Sequence, residues 1–82
     1  MQKVVFVKAQ EDWKLEVRFA DGTRGIVPMK DRLFEPVFEP LKDPALFARV
    51  GIDEFGAICW PNGADLAPDA IYERLTAKTH VA

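Results

Sequence analysis

Residues 13–22 read WKLEVRFADG, and no other stretch restricts the fold of this chain as much. Trp13, Leu15, Val17 and Phe19 alternate with Lys14, Glu16 and Arg18. A period of two predicts a strand with four apolar side chains on one face and charge on the other. Asp21-Gly22 follows at once, a pair that reverses the chain at little steric cost because glycine accepts positive φ and aspartate tolerates it. TRGIVPM at 23–29 is then the returning strand. Gly25 weakens it and Pro28 cannot donate a ladder hydrogen bond, so this strand is expected either at a sheet edge or ending near Val27.

The remaining segments follow from the same local rules. VVFV at 4–7 is β-branched, aromatic and too short for a helix, so it reads as a strand. KDRLFEPVFEPL at 30–41 offers Leu33, Phe34, Val37, Phe38 and Leu41 for burial, while its two prolines limit helix to one turn near 30–34. Asp43-Pro44 is a helix start and makes PALFARV a short helix or 3₁₀ turn. GID and AICW around EFG form a second hairpin with Ile52, Ile58 and Trp60 facing inward. Pro68 opens a last helix, with Asp69 in its first turn and Ile71 and Leu75 one turn apart on one face. The fold class expected is α+β: a small antiparallel sheet of two hairpins, a short middle helix and a C-terminal helix. Residues 1–77 form a single domain and 78–82 a frayed tail.

Composition narrows function by exclusion. Eleven basic against thirteen acidic residues give a net charge of −2, the wrong sign for a domain that grips a phosphate backbone by itself. Neither half of the chain carries a charged tail. Cys59 has no cysteine to pair with, and the N-terminal apolar run is too short for a signal peptide or a membrane span, so a cytoplasmic protein is expected. A chain of this size buries only about 60–65% of the surface its unfolded form exposes, so association with a partner or a second copy would help it.

AICWPNGADLAPDAIY at 57–72 concentrates a tryptophan, an Asn-Gly pair and carboxylates around two prolines. Pro61 pre-sets φ at the second position of a reversal, Asn62 follows and Gly63 ends it, while Trp60 is the natural wedge between sheet and helix. Asp65 is expected to accept backbone hydrogen bonds here, as Asp21 is in the first hairpin. A packed corner of Trp60, Pro61, Asn62, Gly63 and Asp65 is favoured over a binding site, because each residue already has a structural task.

Leu15, Phe19, Asp21-Gly22, LKDPALFARV at 41–50, Ile52, Gly56, WPNGADLAPD at 60–69 and Tyr72 together resemble the small bacterial proteins catalogued as domain of unknown function 2442. The resemblance implies a compact α+β domain with antiparallel strands and a C-terminal helix, and no assigned activity. Proteins of this kind are often encoded beside another small protein, which has suggested a toxin–antitoxin pair. Some relatives add a helix-turn-helix domain. This sequence carries no such extension, so direct DNA contact is not expected of it, and Pro28 stands where an ordinary strand residue would be anticipated.

Chemistry finds little footing in these residues. Cys59 and His80 are the only residues of their types and lie far apart, so no metal set, no cofactor and no thiol–imidazole pair is expected. Asp53/Glu54 and Asp65/Asp69 sit in segments that read as solvated turns rather than across a cleft. Lys14, Arg18, Arg24, Lys30 and Arg32 cluster in and after the first hairpin, interrupted by Glu16 and Asp31. The expectation is a non-enzymatic protein-interaction module, antitoxin-like by resemblance, whose partner is the small protein encoded by the neighbouring gene or a second copy. Lys14, Arg18, Arg24 and Ile26 are the candidate partner-binding residues, through the edge of the strand at 23–27. The alternative is an accessory DNA-binding or regulatory subunit.

Overall fold

Strand β2 (Lys14–Phe19) lies between β1 (Val4–Gln10) and β3 (Arg24–Pro28) in a three-stranded antiparallel sheet, in a computed structural model that describes residues 2–77. Leu15, Val17 and Phe19 are buried and Lys14 and Arg18 are exposed, as the period of two requires. Trp13 departs from this pattern. It belongs to the loop that joins Gln10 to Lys14, where Asp12 and Trp13 have φ of 63° and 56°. A left-handed backbone costs a bulky residue about 1–2 kcal/mol, and two bonds hold Trp13 there. Its indole N–H donates to the Leu41 carbonyl at 2.8 Å, and its own carbonyl accepts from the Met29 N–H at 2.8 Å.

β1 runs three residues past the expected VVFV, with a bulge between Val4 and Phe6. Val5 is the extra residue, so Val4 and Val7 both pack on the core although an odd number of positions separates them. After β3 the chain makes two single 3₁₀ turns, Lys30–Arg32 and Glu39–Lys42. Leu33, Phe38 and Leu41 are buried, whereas Phe34 and Val37, also expected inside, are 75% and 50% exposed. Both lie in the irregular stretch between the two turns, where no helical or strand period directs alternate side chains inward. Asp43 Oδ1 accepts from the Ala45 N–H at 3.0 Å and starts the one-turn helix α1 (Pro44–Phe47).

A second antiparallel sheet follows, β4 (Gly51–Ile52), β5 (Ile58–Cys59) and β6 (Asp65–Leu66), in that order. The α+β class is therefore as expected, with six strands in two sheets rather than two hairpins in one. β6 is the element that local reading passed over, because two residues of ADLA carry no periodicity. Ile58 is fully buried, but its cross-strand partner Ile52 ends a two-residue strand at the lip of a turn and is 37% exposed, against the expectation of burial.

Helix α2 (Pro68–Ala77) turns Ile71 and Leu75 into the core. Gly25, a weakness in the strand pattern, is the seat for this helix: a Cβ there would lie 2.6 Å from Leu75 Cδ2. Tyr72 sets its ring edge-on to Phe19, with centroids 5.1 Å apart, and its hydroxyl donates to Asp21 Oδ2 at 2.6 Å. The hairpin tip is thereby tied to α2. One core takes residues from both sheets, both helices and the 30–42 segment. Among the described residues no helix is long and apolar enough to cross a membrane. The tail at 78–82, with His80, lies outside them.

The Tyr72 hydroxyl, and next to it the Thr23 N–H, hold the Asp21 carboxyl below the ordinary aspartate range. Folding lowers this pKa, so the bond's contribution is present at neutral pH, fades as pH falls through the folded-state value and is absent below it. Tyr72→Phe keeps the ring packing and removes the bond. Its melting temperature is expected to fall below that of the wild type at pH 7 and to converge with it in acid. A deficit independent of pH would show that the carboxylate is not the partner that matters.

Candidate protein-interaction site

The antiparallel register gathers the candidate partner-binding residues on one surface. Arg18 pairs with Arg24, Glu16 with Ile26 and Lys14 with Pro28, all on the face of the N-terminal sheet opposite the buried Leu15, Val17 and Val27. β1 adds Phe6 beside Arg18 and Lys8 beside Glu16. The local reading missed these two because the bulge at Val5 breaks the strand's parity; the alternation of Phe6, Lys8 and Gln10 beyond it was the available signal.

This face carries Lys8, Lys14, Arg18 and Arg24, none of them in an ion pair among the described residues. The Arg18 guanidinium sits 5.3 Å from the centroid of the Phe6 ring. Glu16, the one carboxylate in the rows, accepts from Gln10 Nε2 at 3.2 Å. Arg18 and Arg24 stand directly opposite each other, an arrangement that lowers stability unless an anion lies nearby. Lys30 and Arg32 do not join the face: Lys30 pairs with Asp12 at 3.0 Å and Arg32 with Glu35 at 3.4 Å.

The edge of β3 is open. The Phe19 N–H bonds the Thr23 carbonyl and the Met29 N–H bonds the Trp13 carbonyl, which fixes the phase of the β2–β3 ladder. Leu15/Val27 and Val17/Gly25 are then the hydrogen-bonded pairs, and the N–H and C=O of Ile26 point away from β2. No backbone group among the described residues meets them. Beside Val27, on the inner side, a groove of about 560 Å³ runs between β3, β6 and α2. Leu66, Ala67, Ala70 and Ile71 line it, with Arg32, Asp65, Glu73 and Arg74.

Trp60, Pro61, Asn62 and Gly63 form the turn between β5 and β6, closed by the Gly63 N–H to the Trp60 carbonyl at 3.1 Å. The Trp60 indole is buried, donates to the Phe47 carbonyl at 3.0 Å and stacks on the Phe47 ring. The side-chain acceptor in this corner is Asn62, whose Oδ1 takes the Ala64 N–H at 3.2 Å. Asp65, expected in that role, lies one residue too far along and is exposed on β6 beside the groove. Asp53 caps its own turn through the Phe55 and Ala57 N–H groups, and Asp69 accepts from the Gln2 N–H at 3.2 Å. Cys59 is half-buried in β5. Among the described residues no three His, Cys, Asp or Glu side chains converge as metal ligands would.

A family model described as Protein of unknown function (DUF2442) matches residues 4–77, both sheets and α2 included. The chain belongs to this family. That membership covers the open edge of β3 and the Trp60 corner alike, and it brings no activity with it. No match was found among curated proteins or among solved structures.

Proposed function

We propose that this chain is a non-enzymatic interaction module that receives a strand of a partner protein on the edge of β3, in the antitoxin-like role of a two-gene pair that its family resemblance suggests. The observation that supports this reading is the outward-facing N–H and C=O of Ile26 on an unpaired strand edge, with unneutralised cations in the adjoining rows. Main-chain bonds supply affinity in such pairing, and opposite charge steers the encounter.

Ile26→Pro tests it. The ring replaces a donor that β2 does not use and occupies the place of the incoming carbonyl, so the variant is expected to stay folded and to lose co-purification with the product of the neighbouring gene. Ile58→Pro, in the middle strand of the second sheet, is expected to unfold the protein instead. Capture unchanged in folded Ile26→Pro would sink edge pairing and shift attention to α2.

A second reading has support from the same face, since Phe6 among four cations on an open sheet is also a surface on which a nucleic acid strand could stack. Retention on heparin or DNA that weakens steeply with salt would favour it.

A further inference from the structure

We propose that the strand captured on β3 is an extended segment whose acidic side chains alternate with small to medium apolar ones. This rests on the edge-pairing reading and adds the chemistry of what is captured. A strand laid beside β3 must alternate as β3 does, with Arg24 and Ile26 on the solvent face and Gly25 and Val27 on the core face. Its outward side chains therefore enter the row of Arg24 and Arg18, where the one carboxylate on this face of the sheet, Glu16, is already engaged by Gln10. Its inward side chains meet the groove beside Val27, whose apolar lining is Leu66, Ala67, Ala70 and Ile71. The groove's volume of about 560 Å³ lies within the usual range for sites that take side chains or small ligands. Arg32 and Arg74 border it together with Asp65 and Glu73, so that side offers no cationic row like that of the outer face.

A second copy is a poor occupant. Pairing β3 with β3 of another molecule would merge two sets of Lys14, Arg18 and Arg24 on one face, and like charges across a sheet oppose pairing. An acidic partner meets the same cations favourably.

The probes are capped, dye-labelled peptides about six residues long, a typical strand length: one alternating Glu with Val, one alternating Lys with Val, and one with the Glu and Val residues in separate blocks. Fluorescence anisotropy should show binding of the alternating Glu-Val peptide, and weaker binding of the other two by about tenfold or more, which corresponds to about 1.4 kcal/mol. Arg24→Glu, at an exposed position, should reverse the preference between the Glu and Lys peptides. Ala70→Glu, on the exposed side of α2, should weaken both alternating peptides by filling and charging the groove. Ile26→Pro should abolish binding of all three. Thermal melting confirms that each variant is folded. If Ile26→Pro removes binding while Arg24→Glu and Ala70→Glu change nothing, the edge reading stands and the alternating acidic-apolar chemistry is wrong. If Ile26→Pro changes nothing, both fail. Equal binding of the block peptide, no binding of the alternating Glu-Val peptide at millimolar concentration, or self-association that Ile26→Pro abolishes would each overturn the proposal.

Discussion

Trp60→Ala is expected to lower stability by about 3–5 kcal/mol, the usual loss for a buried tryptophan. Trp60 is 4% exposed, its ring lies 5.9 Å from that of Phe47 and 6.3 Å from that of Phe38, and its N–H satisfies a carbonyl of α1. Truncation removes all three contacts and leaves the Phe47 carbonyl with the Val50 N–H, at 3.3 Å, as its remaining donor. A domain of this size has a total stability near the low end of about 5–15 kcal/mol, so the variant should be largely unfolded at 37 °C, as circular dichroism melting would show. Trp60→Phe, which keeps most of the packing and loses the N–H, should retain a cooperative transition at a lower temperature. If Trp60→Ala keeps the native melting temperature and loses partner capture, the corner is a contact surface rather than a packed one.

Gly56→Ala should also be strongly destabilising. Gly56 has φ of +79° at the β4–β5 turn, and its carbonyl accepts from the Val4 N–H at 3.0 Å, joining the two sheets. A Cβ there would lie 2.8 Å from Lys3 Cβ and 3.1 Å from Lys3 Cα. The second contact is backbone, and the Lys3 carbonyl is itself bonded by the Ala20 N–H. The left-handed backbone costs about 1–2 kcal/mol and the enforced shift about 1–3 more. Gly63, with φ of +93° and nothing within 4 Å of its Cβ direction, isolates the first of these costs. Urea unfolding should therefore show Gly63→Ala losing about 1–2 kcal/mol and Gly56→Ala clearly more. Equal losses would mean that the Lys3 segment yields without strain.

The features legible in the chain were those decided within a few residues. Alternation placed Leu15, Val17 and Phe19 on one face, Asp21-Gly22 and Asn62-Gly63 located reversals, and Asp43-Pro44 and Pro68 located helix starts. The candidate cations Lys14, Arg18 and Arg24 were legible for the same reason, since the period of two that buried their neighbours put them outside. Phe6 and Lys8 were hidden by one inserted residue, because a bulge changes the parity of everything on one side of it.

By itself, then, the sequence determined the antiparallel hairpin, the α+β class, the turns at Asp21-Gly22 and Asn62-Gly63 and the charge on the strand's outer face, because each is a contest among neighbours in the chain. The tertiary structure alone decided that Trp13 leaves the strand to bond Leu41, that Gly25 admits Leu75, that Tyr72 reaches Asp21, and that β3, β6 and α2 enclose a groove beside an open edge. These contacts join residues 28 to 51 positions apart, and no local propensity encodes them. They form because a single core must be filled by side chains from both sheets and both helices at once.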